Sequence, residues 1–340
     1  MPFKEIIGHR RLVSLLSRAI AQDTLPQSML FAGPRGIGKR RTAVALAETI
    51  NCLAPIETAG LPRDACGKCV SCRRIARGVH PDILIVEPGE SGSIKIEQLR
   101  DVIDRAGYRP FEGKRRVVIV DEADAMAGPA QSALLKTLEE PPQASVFVLV
   151  SPVPDALLPT VLSRCQRLRF GELSVAEVAE VLMRDHEYEE TEARAAAADA
   201  DGSIGRALSA GSTDMAEARE MARHMLEQAA RMSDPGRRFE LAREGTPSAG
   251  GGKTTGMERE QLAACLRALA SLLRDIGLVG VQGDAAVLAN ADLAPRVRAL
   301  ASAYDSDRTV RAYASVDQAL AALERNASPK VVADWLVLQL

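Results

Sequence analysis

The sequence has few aromatic residues and no excess of either charge. Phe, Tyr and Trp make up 3% of the 340 residues, so a nucleic-acid platform built from many stacked rings is not expected. The 43 Lys and Arg residues against 45 Asp and Glu give a formal net charge of −2. This balance excludes a strongly basic binder of the histone type and leaves room only for a local basic patch.

Long apolar runs are also absent. No stretch reaches the roughly 18 uninterrupted apolar residues of a membrane span, and residues 1–5 lack the apolar core of a secretory signal. The six cysteines are too few for an extracellular disulfide scaffold of this length. We therefore expect a cytoplasmic protein with two or three domains and no membrane partner.

The first half of the chain alternates apolar runs with helical patterns. This alternation predicts an α/β domain over residues 1–170 with a parallel sheet covered on both faces. Strands are predicted at 28–32, 83–86, 116–121 and 146–150, and helices at 11–22, 42–50, 94–105 and 131–140.

Beyond residue 171 the pattern is helical throughout. We predict a helical lid domain over 171–212 and an all-helical domain over 213–340, interrupted by a Gly-rich flexible loop at 245–256. The predicted helices span 174–186, 190–200, 203–210, 215–243, 257–278, 284–303, 310–325 and 328–340.

The segment after the first strand contains most of a phosphate-binding P-loop. Glycines at 33, 36 and 38 allow successive N–H groups to wrap a phosphate, and Lys39 would reach the β- and γ-phosphates. The next position requires Ser or Thr for Mg²⁺ but holds Arg40, whose guanidinium would place positive charge where the cation belongs. The candidate nucleotide-binding residues of this loop are Gly33, Gly36, Gly38 and Lys39. ATP or ADP binding and a vestigial loop both remain open.

The third strand ends in a Walker B pattern. It would deliver Asp121 toward Mg²⁺ and Glu122 toward an attacking water. An acidic strand end without catalysis is the alternative, because Arg40 compromises the magnesium site. The later run 250–255 looks like the tail of a P-loop, but no apolar strand precedes it, so it indicates a linker.

Four cysteines follow the zinc-ligand pattern. Two overlapping C-x2-C steps and an upstream cysteine supply four thiolates, which leave Zn²⁺ no open position and therefore predict a structural site. Free thiols and an iron–sulfur cluster are the alternatives. His80 lies close by and is more typical of a loop residue than of a ligand. The predicted ligands are Cys52, Cys66, Cys69 and Cys72.

Four further motifs occur in a fixed order at 93–100, 113–124, 133–142 and 162–165. With the cysteines, they resemble the bacterial DNA polymerase III clamp-loader subunits of the AAA+ class over residues 1–210. The resemblance implies an AAA+ P-loop parallel sheet with a zinc-binding insertion, a small helical lid and an all-α collar domain that joins subunits.

Two kinds of subunit in that family share these motifs, the gamma/tau ATPase and the delta-prime subunit. The ATPase carries a P-loop Thr and a lid Arg within Gly-Ser-apolar-Arg. This chain has Arg40 and Gly205 there, and Arg206 is shifted by one residue, or about 100° on a helix. The departures resemble the delta-prime type, and the gamma/tau type is the alternative.

The resemblance implies a role for Arg164 of the Ser-Arg-Cys motif. In the family this arginine projects into the ATP site of a neighbouring subunit as an arginine finger. The implied partners are the gamma/tau and delta subunits and, through the complex, the sliding clamp and primed DNA. The chain would then be a component of the DNA polymerase III holoenzyme and not catalytic alone. A zinc-module DNA-binding protein is a third possibility, disfavoured by the net charge.

Overall fold

The computed structural model divides into two compact units, Met1–Leu208 and Ser209–Leu340. It describes residues 2–58, 60–89, 91–198, 200–210, 213–231, 255–281, 290, 293–325 and 327–340. The boundaries predicted at 170 and 212 remain predictions. Most of the predicted loop at 245–256 lies outside the described residues, as does nearly all of the Gly-rich run 250–255, and a helix already begins at Thr255.

A five-stranded parallel sheet forms the centre of the first unit, with strand order β4-β5-β6-β1-β7. All residues of β1, β5 and β6 are buried, which explains their uninterrupted apolar sequences. A separate antiparallel pair is formed by β2 and β3. The strands are β1 (Ser28–Ala32), β2 (Ile56–Thr58), β3 (Leu61–Asp64), β4 (Ile83–Val86), β5 (Arg116–Val120), β6 (Ser145–Ser151) and β7 (Gln166–Arg169).

Helices cover both faces of this sheet. Alternate strand residues enter different apolar clusters, with Leu30 in one and Met29 and Phe31 in the other, as the two-residue period of a strand requires. The helices are α1 (Arg10–Ala21), α2 (Lys39–Asn51), α3 (Val70–Ala76), α4 (Ile96–Ala106), α5 (Gly128–Glu139), α6 (Pro159–Leu162), α7 (Val175–His186), α8 (Glu190–Ala198) and α9 (Ile204–Ala210).

Three strands are absent from the prediction. β7 lies at the edge of the sheet, and three of its four residues are exposed, so it carries no apolar run. The β2–β3 pair lies within the cysteine segment, and its residues are mostly exposed or half-buried. Helices α2 and α5 each begin three residues before their predicted starts, at Lys39 and Gly128.

The described part of the second unit is helical. Its core forms around α11, where Leu266, Leu269 and Leu273 are fully buried. The predicted helix 284–303 is observed only as a short helix, and residues 282–289 of that region are outside the described set. No helix in the described residues is long and apolar enough to cross a membrane. The helices are α10 (Thr213–Arg231), α11 (Thr255–Gly280), α12 (Ala294–Ala301), α13 (Ser306–Glu324) and α14 (Pro329–Gln339).

Candidate functional site

The predicted nucleotide-site residues follow β1 and β5, at the edge of the sheet where the carboxyl ends of four neighbouring strands lie. Glu87 follows β4, Asp121 follows β5, Ser151 ends β6, and the P-loop, residues 33–38, follows β1. Parallel α/β sheets bind ligands at this edge because the strand ends and the following helix N-termini converge there. The topology therefore brings together residues that are widely separated in the sequence.

The P-loop holds its three glycines at positive φ, with values of 153° at Gly33, 73° at Gly36 and 94° at Gly38. At Gly36 the requirement is also steric, because a Cβ would lie 2.3 Å from Ser203 Oγ. A side chain at position 36 would therefore meet both an unfavourable backbone conformation and the Ser203 side chain.

The Lys39 side chain folds back onto the loop that precedes it. Its Nζ donates to the carbonyl oxygens of Gly33, at 2.7 Å, and Pro34, at 2.6 Å. Burial lowers the pKa of Lys39 to about 8, although the carboxylates of Asp121 and Asp124 oppose that shift. The ammonium group is therefore occupied by main-chain acceptors.

Arg40 lies between two carboxylates. Its Nε is 3.5 Å from Asp121 Oδ2, and its Nη2 forms an ion pair with Glu87. Burial raises the pKa of Asp121, and the neighbouring Arg40 guanidinium acts in the opposite direction. A side-chain cation therefore lies beside the carboxylate that the sequence analysis assigned to magnesium.

The two acidic residues that follow are also engaged. Glu122 adopts a left-handed φ of 46° and pairs with Arg35 Nη2 at 3.4 Å. Asp124 is buried and accepts a hydrogen bond of 2.9 Å from Ser151 Oγ. Sequence reasoning missed the Asp124–Ser151 pair. The signals that could have found it are Asp124, the last residue of the motif at 113–124, and the polar Ser151 at the end of an otherwise apolar strand.

The start of α9 packs directly on the P-loop. Ser203 Oγ donates to the Arg35 carbonyl at 2.9 Å, and the Gly205 N–H donates to the Gly36 carbonyl at 3.2 Å. A Cβ on Gly205 would lie 3.1 Å from Gly36 Cα, so a larger residue at 205 would push the two segments apart. The Arg206 guanidinium pairs with Asp201 at 2.7 Å.

A small cavity of about 20 Å³, room for about one water molecule, lies beside Gly38 of the P-loop. Arg41 and Arg184 line this cavity together with apolar side chains. The apolar lining consists of Ile6, Ile7, Ile37, Val181 and Ile204.

The four predicted metal ligands converge, with all Sγ atoms within 4.8 Å of one another. The Cys52 and Cys69 sulfurs are 4.0 Å apart. Tetrahedral Zn²⁺ with Zn–S bonds of about 2.3 Å separates its sulfur ligands by about 3.8 Å. The set therefore has the spacing of a four-thiolate metal site, and the closed coordination would leave no position for a substrate.

Main-chain N–H groups point at these sulfurs. Cys66 N lies 3.3 Å from Cys52 Sγ, and Cys72 N lies 3.4 Å from Cys69 Sγ. Burial opposes ionisation of Cys69, but the N–H groups of Cys72 and Leu53 and the neighbouring thiols lower its pKa to about 6. At least one sulfur is thus prepared to act as the thiolate that a metal requires.

His80 is a buried loop residue outside the sulfur cluster. Its Nδ1 accepts the Asp82 N–H at 3.2 Å, and its Nε2 lies 3.2 Å from Ser71 Oγ. Both ring nitrogens therefore have protein partners and neither is a metal ligand in the described structure. The segment has little core of its own, since its cluster contains only Cys52, Ala65 and Cys72 as buried members.

Arg164 follows α6 and lies apart from the P-loop residues in its contacts. Its Nη2 is 3.1 Å and its Nε 3.4 Å from Glu139 Oε2, and its Nη1 donates to the Thr160 carbonyl at 3.0 Å. The next residue, Cys165, is buried, and burial raises the pKa of its thiol to about 12. The buried Cys165 fixes the backbone at this point. The Arg164 side chain lies against the end of α5 and is 30% exposed.

Comparison with known proteins finds similarity to DNA polymerase III subunits. Residues 8–174 match the family model described as DNA polymerase III, delta subunit. The chain is 32% identical over 212 residues to the DNA polymerase III subunit tau of Escherichia coli, covering 61% of this chain and 32% of that protein. It is 32% identical over 180 residues to the subunit gamma of Buchnera aphidicola, covering 53% and 48%.

The chain thus spans less than half the length of these curated relatives. A solved gamma subunit-related protein from Thermotoga maritima aligns over 95% of this chain and 96% of that chain, at 17% identity and a TM-score of 0.46. The matched segment is similar to the DNA polymerase III delta subunit family and to the gamma and tau subunits.

Proposed function

We propose that the chain is the delta-prime subunit of a bacterial DNA polymerase III clamp loader of the AAA+ class. It acts in the cytoplasm with gamma/tau and delta subunits and helps to load the sliding clamp onto primed DNA. The observation that carries the proposal is the Arg40–Asp121 contact of 3.5 Å. A P-loop whose metal position is taken by a side chain suits a subunit that does not hydrolyse ATP itself.

Three further features disfavour turnover at this P-loop. Lys39 is bonded to Gly33 and Pro34, Glu122 is paired with Arg35, and Gly205 stands against Gly36. ATP hydrolysis needs the lysine on the phosphates and an acidic residue oriented toward water. The proposal still allows ATP or ADP to bind at this loop without being hydrolysed.

The role of Arg164 in this proposal is to act in trans. A guanidinium that is 30% exposed and anchored by a buried neighbour can reach a phosphate bound to another subunit. Arginine fingers supplied in trans accelerate phosphoryl transfer by about 10³ to 10⁵. The subunit would then be needed for hydrolysis at a neighbour's site.

The second unit supports assembly through exposed apolar side chains. On α14, Val331, Trp335 and Leu338 recur at helical spacing with exposures of 64%, 36% and 45%. On α13, Val310 and Tyr313 are 68% and 47% exposed. Side chains of this kind are typical of subunit interfaces, so we assign this unit to the collar of the complex.

Turnover measurements test the proposed role. The isolated chain should hydrolyse ATP no faster than its Lys39→Ala variant, since its own site is blocked. In a complex where only the ATP site next to this chain is active, Arg164→Ala should lower turnover by about 10³-fold. Unchanged turnover there, with normal assembly, would refute the trans role.

The gamma/tau type is the second candidate, because the curated relatives reported above carry those names. It requires robust Mg²⁺-dependent hydrolysis by the isolated chain, lost in Lys39→Ala. The same pair of measurements therefore separates the two proposals.

We also propose a structural zinc ion on Cys52, Cys66, Cys69 and Cys72, which would bind through four thiolates and stabilise a segment with a very small core. Elemental analysis should find about one zinc per chain. Cys69→Ser should lose the metal, whereas Cys265→Ala, at a buried thiol of the second unit, should retain it. A chain purified without chelator that contains no zinc would remove this proposal.

A further inference from the structure

Glu139 lies in the motif at 133–142, and the proposed function has not yet given it a role. We infer that Glu139 is a positioning residue for Arg164: its carboxylate fixes the guanidinium in the orientation from which it reaches a neighbour's phosphate. The inference rests on the proposed trans role of Arg164 and assigns to the motif the task of setting where that arginine points.

The contacts around the guanidinium carry the inference. Glu139 Oε2 accepts from both Nε and Nη2, and the Thr160 carbonyl accepts from Nη1. A guanidinium has five N–H groups in one plane. The three engaged groups leave one N–H on each terminal nitrogen without a partner in the described structure. The arginine is thus held while it keeps two donors for a phosphate oxygen pair.

The same helix also fixes the chain segment that carries the arginine. Gln131, in the first half of α5, donates from Nε2 to the Ala156 carbonyl and accepts the Leu158 N–H on Oε1 at 2.7 Å. Gln131 is buried, and so is Val161 of the following helix. Helix α5 therefore holds the segment near its beginning through Gln131 and the guanidinium near its end through Glu139.

Burial distinguishes positioning from a purely stabilising contact. The Glu139 side chain is 60% exposed and that of Arg164 30% exposed. Exposed ion pairs add little to folding stability. A carboxylate at this place therefore changes the distribution of arginine conformers far more than the stability of the fold.

The test uses the full complex in which only the ATP site beside this chain is active. Glu139→Gln keeps the shape and removes the charge, and Glu139→Ala removes both. Each should lower kcat about two- to fivefold with KM for ATP unchanged, the scale expected when a partly exposed ion pair no longer selects one conformer. Glu140→Gln is the matched control, since the adjacent Glu140 is exposed and makes no described contact with Arg164.

Two further measurements separate positioning from structure. In an Arg164→Ala background, Glu139→Ala should cause no additional loss, because no guanidinium remains to be oriented. Glu139→Asp should recover part of the rate, and the midpoint of thermal unfolding should not change across the series.

The possible outcomes are distinct. If Arg164→Ala leaves turnover unchanged, the proposed trans role fails. If Arg164→Ala lowers turnover but both Glu139 variants match the wild type, this inference alone is wrong. A rise in kcat on removing the Glu139 charge would also overturn it, because the carboxylate would then restrain the arginine from acting.

Discussion

Two arginines of the first unit each lie beside a carboxylate, and their surroundings differ. Arg40 contacts both Asp121 and Glu87 at the strand ends, where a P-loop site would place its metal. Among the described side chains, Arg164 contacts only that of Glu139, and it keeps an N–H on each terminal nitrogen. The comparison teaches that the place of an arginine matters as much as its ion pair: Arg40 lies between two carboxylates of its own P-loop site, whereas Arg164 lies apart from that site and is proposed to act on a neighbour.

The largest effect is expected from a change at the second arginine that keeps its charge. Arg164→Lys should lower turnover at the adjacent ATP site by about 10²-fold, because an ammonium cannot reproduce the planar fork of a guanidinium. Steady-state ATPase assays of the complex measure this. Arg167→Lys, at an exposed position of the neighbouring strand β7, is the control. Equal activity of Arg164→Lys and wild type would mean that charge alone matters there.

An intermediate effect is expected from the pH dependence of the P-loop lysine. The folded-state pKa of Lys39 is about 8 against about 10.4 in an unfolded chain. Between these values the unfolded chain binds more protons, so stability rises with pH. The free energy of unfolding of the wild type relative to Lys39→Met should increase by about 2 kcal/mol from pH 7 to pH 10.

Denaturant titrations at the two pH values measure that difference. Titrations of other groups are common to both proteins and cancel in it. If the difference in free energy of unfolding between the two proteins does not change with pH, Lys39 is charged and solvated in the folded protein. The contrast between the P-loop and Arg164 would then be weaker.

A smaller effect is expected from restoring the missing P-loop hydroxyl. Arg40→Thr should free the Asp121 carboxylate from its ion pair. This variant should then bind ADP about tenfold more tightly in Mg²⁺ than in EDTA, a difference of about 1.4 kcal/mol. Arg40→Lys keeps a cation without supplying a metal ligand and should show no Mg²⁺ dependence. Calorimetry measures both. If Arg40→Thr behaves like the wild type, the contact of Gly205 with Gly36 closes the site rather than Arg40.

Most of the first unit could be predicted from the sequence, because apolar runs and closely spaced motifs identify its elements without knowledge of distant contacts. Strands β1 and β4 match their predicted bounds, since each is a continuous apolar run bordered by turn residues. The edge strand β7 was missed because its pairing with β1, and not its own composition, makes it a strand. Adjacent motif letters likewise located the four clustered cysteines.

Contacts between distant segments could not be predicted from sequence. Arg40 was recognised as a departure from the P-loop pattern, but its second carboxylate, Glu87, lies 47 positions away. The Glu139–Arg164 pair spans 25 positions and two helices. Such pairs depend on the order of strands in the sheet, which no local pattern encodes.

The single tryptophan of the chain lies on the face of α14 assigned to the collar, with 36% of its surface exposed. Its indole is therefore an intrinsic optical label for that helix, with no dye or tag required. Burial of a partly exposed indole shifts its fluorescence emission toward shorter wavelengths. Titration with a tryptophan-free partner would thus report the packing of α14 directly.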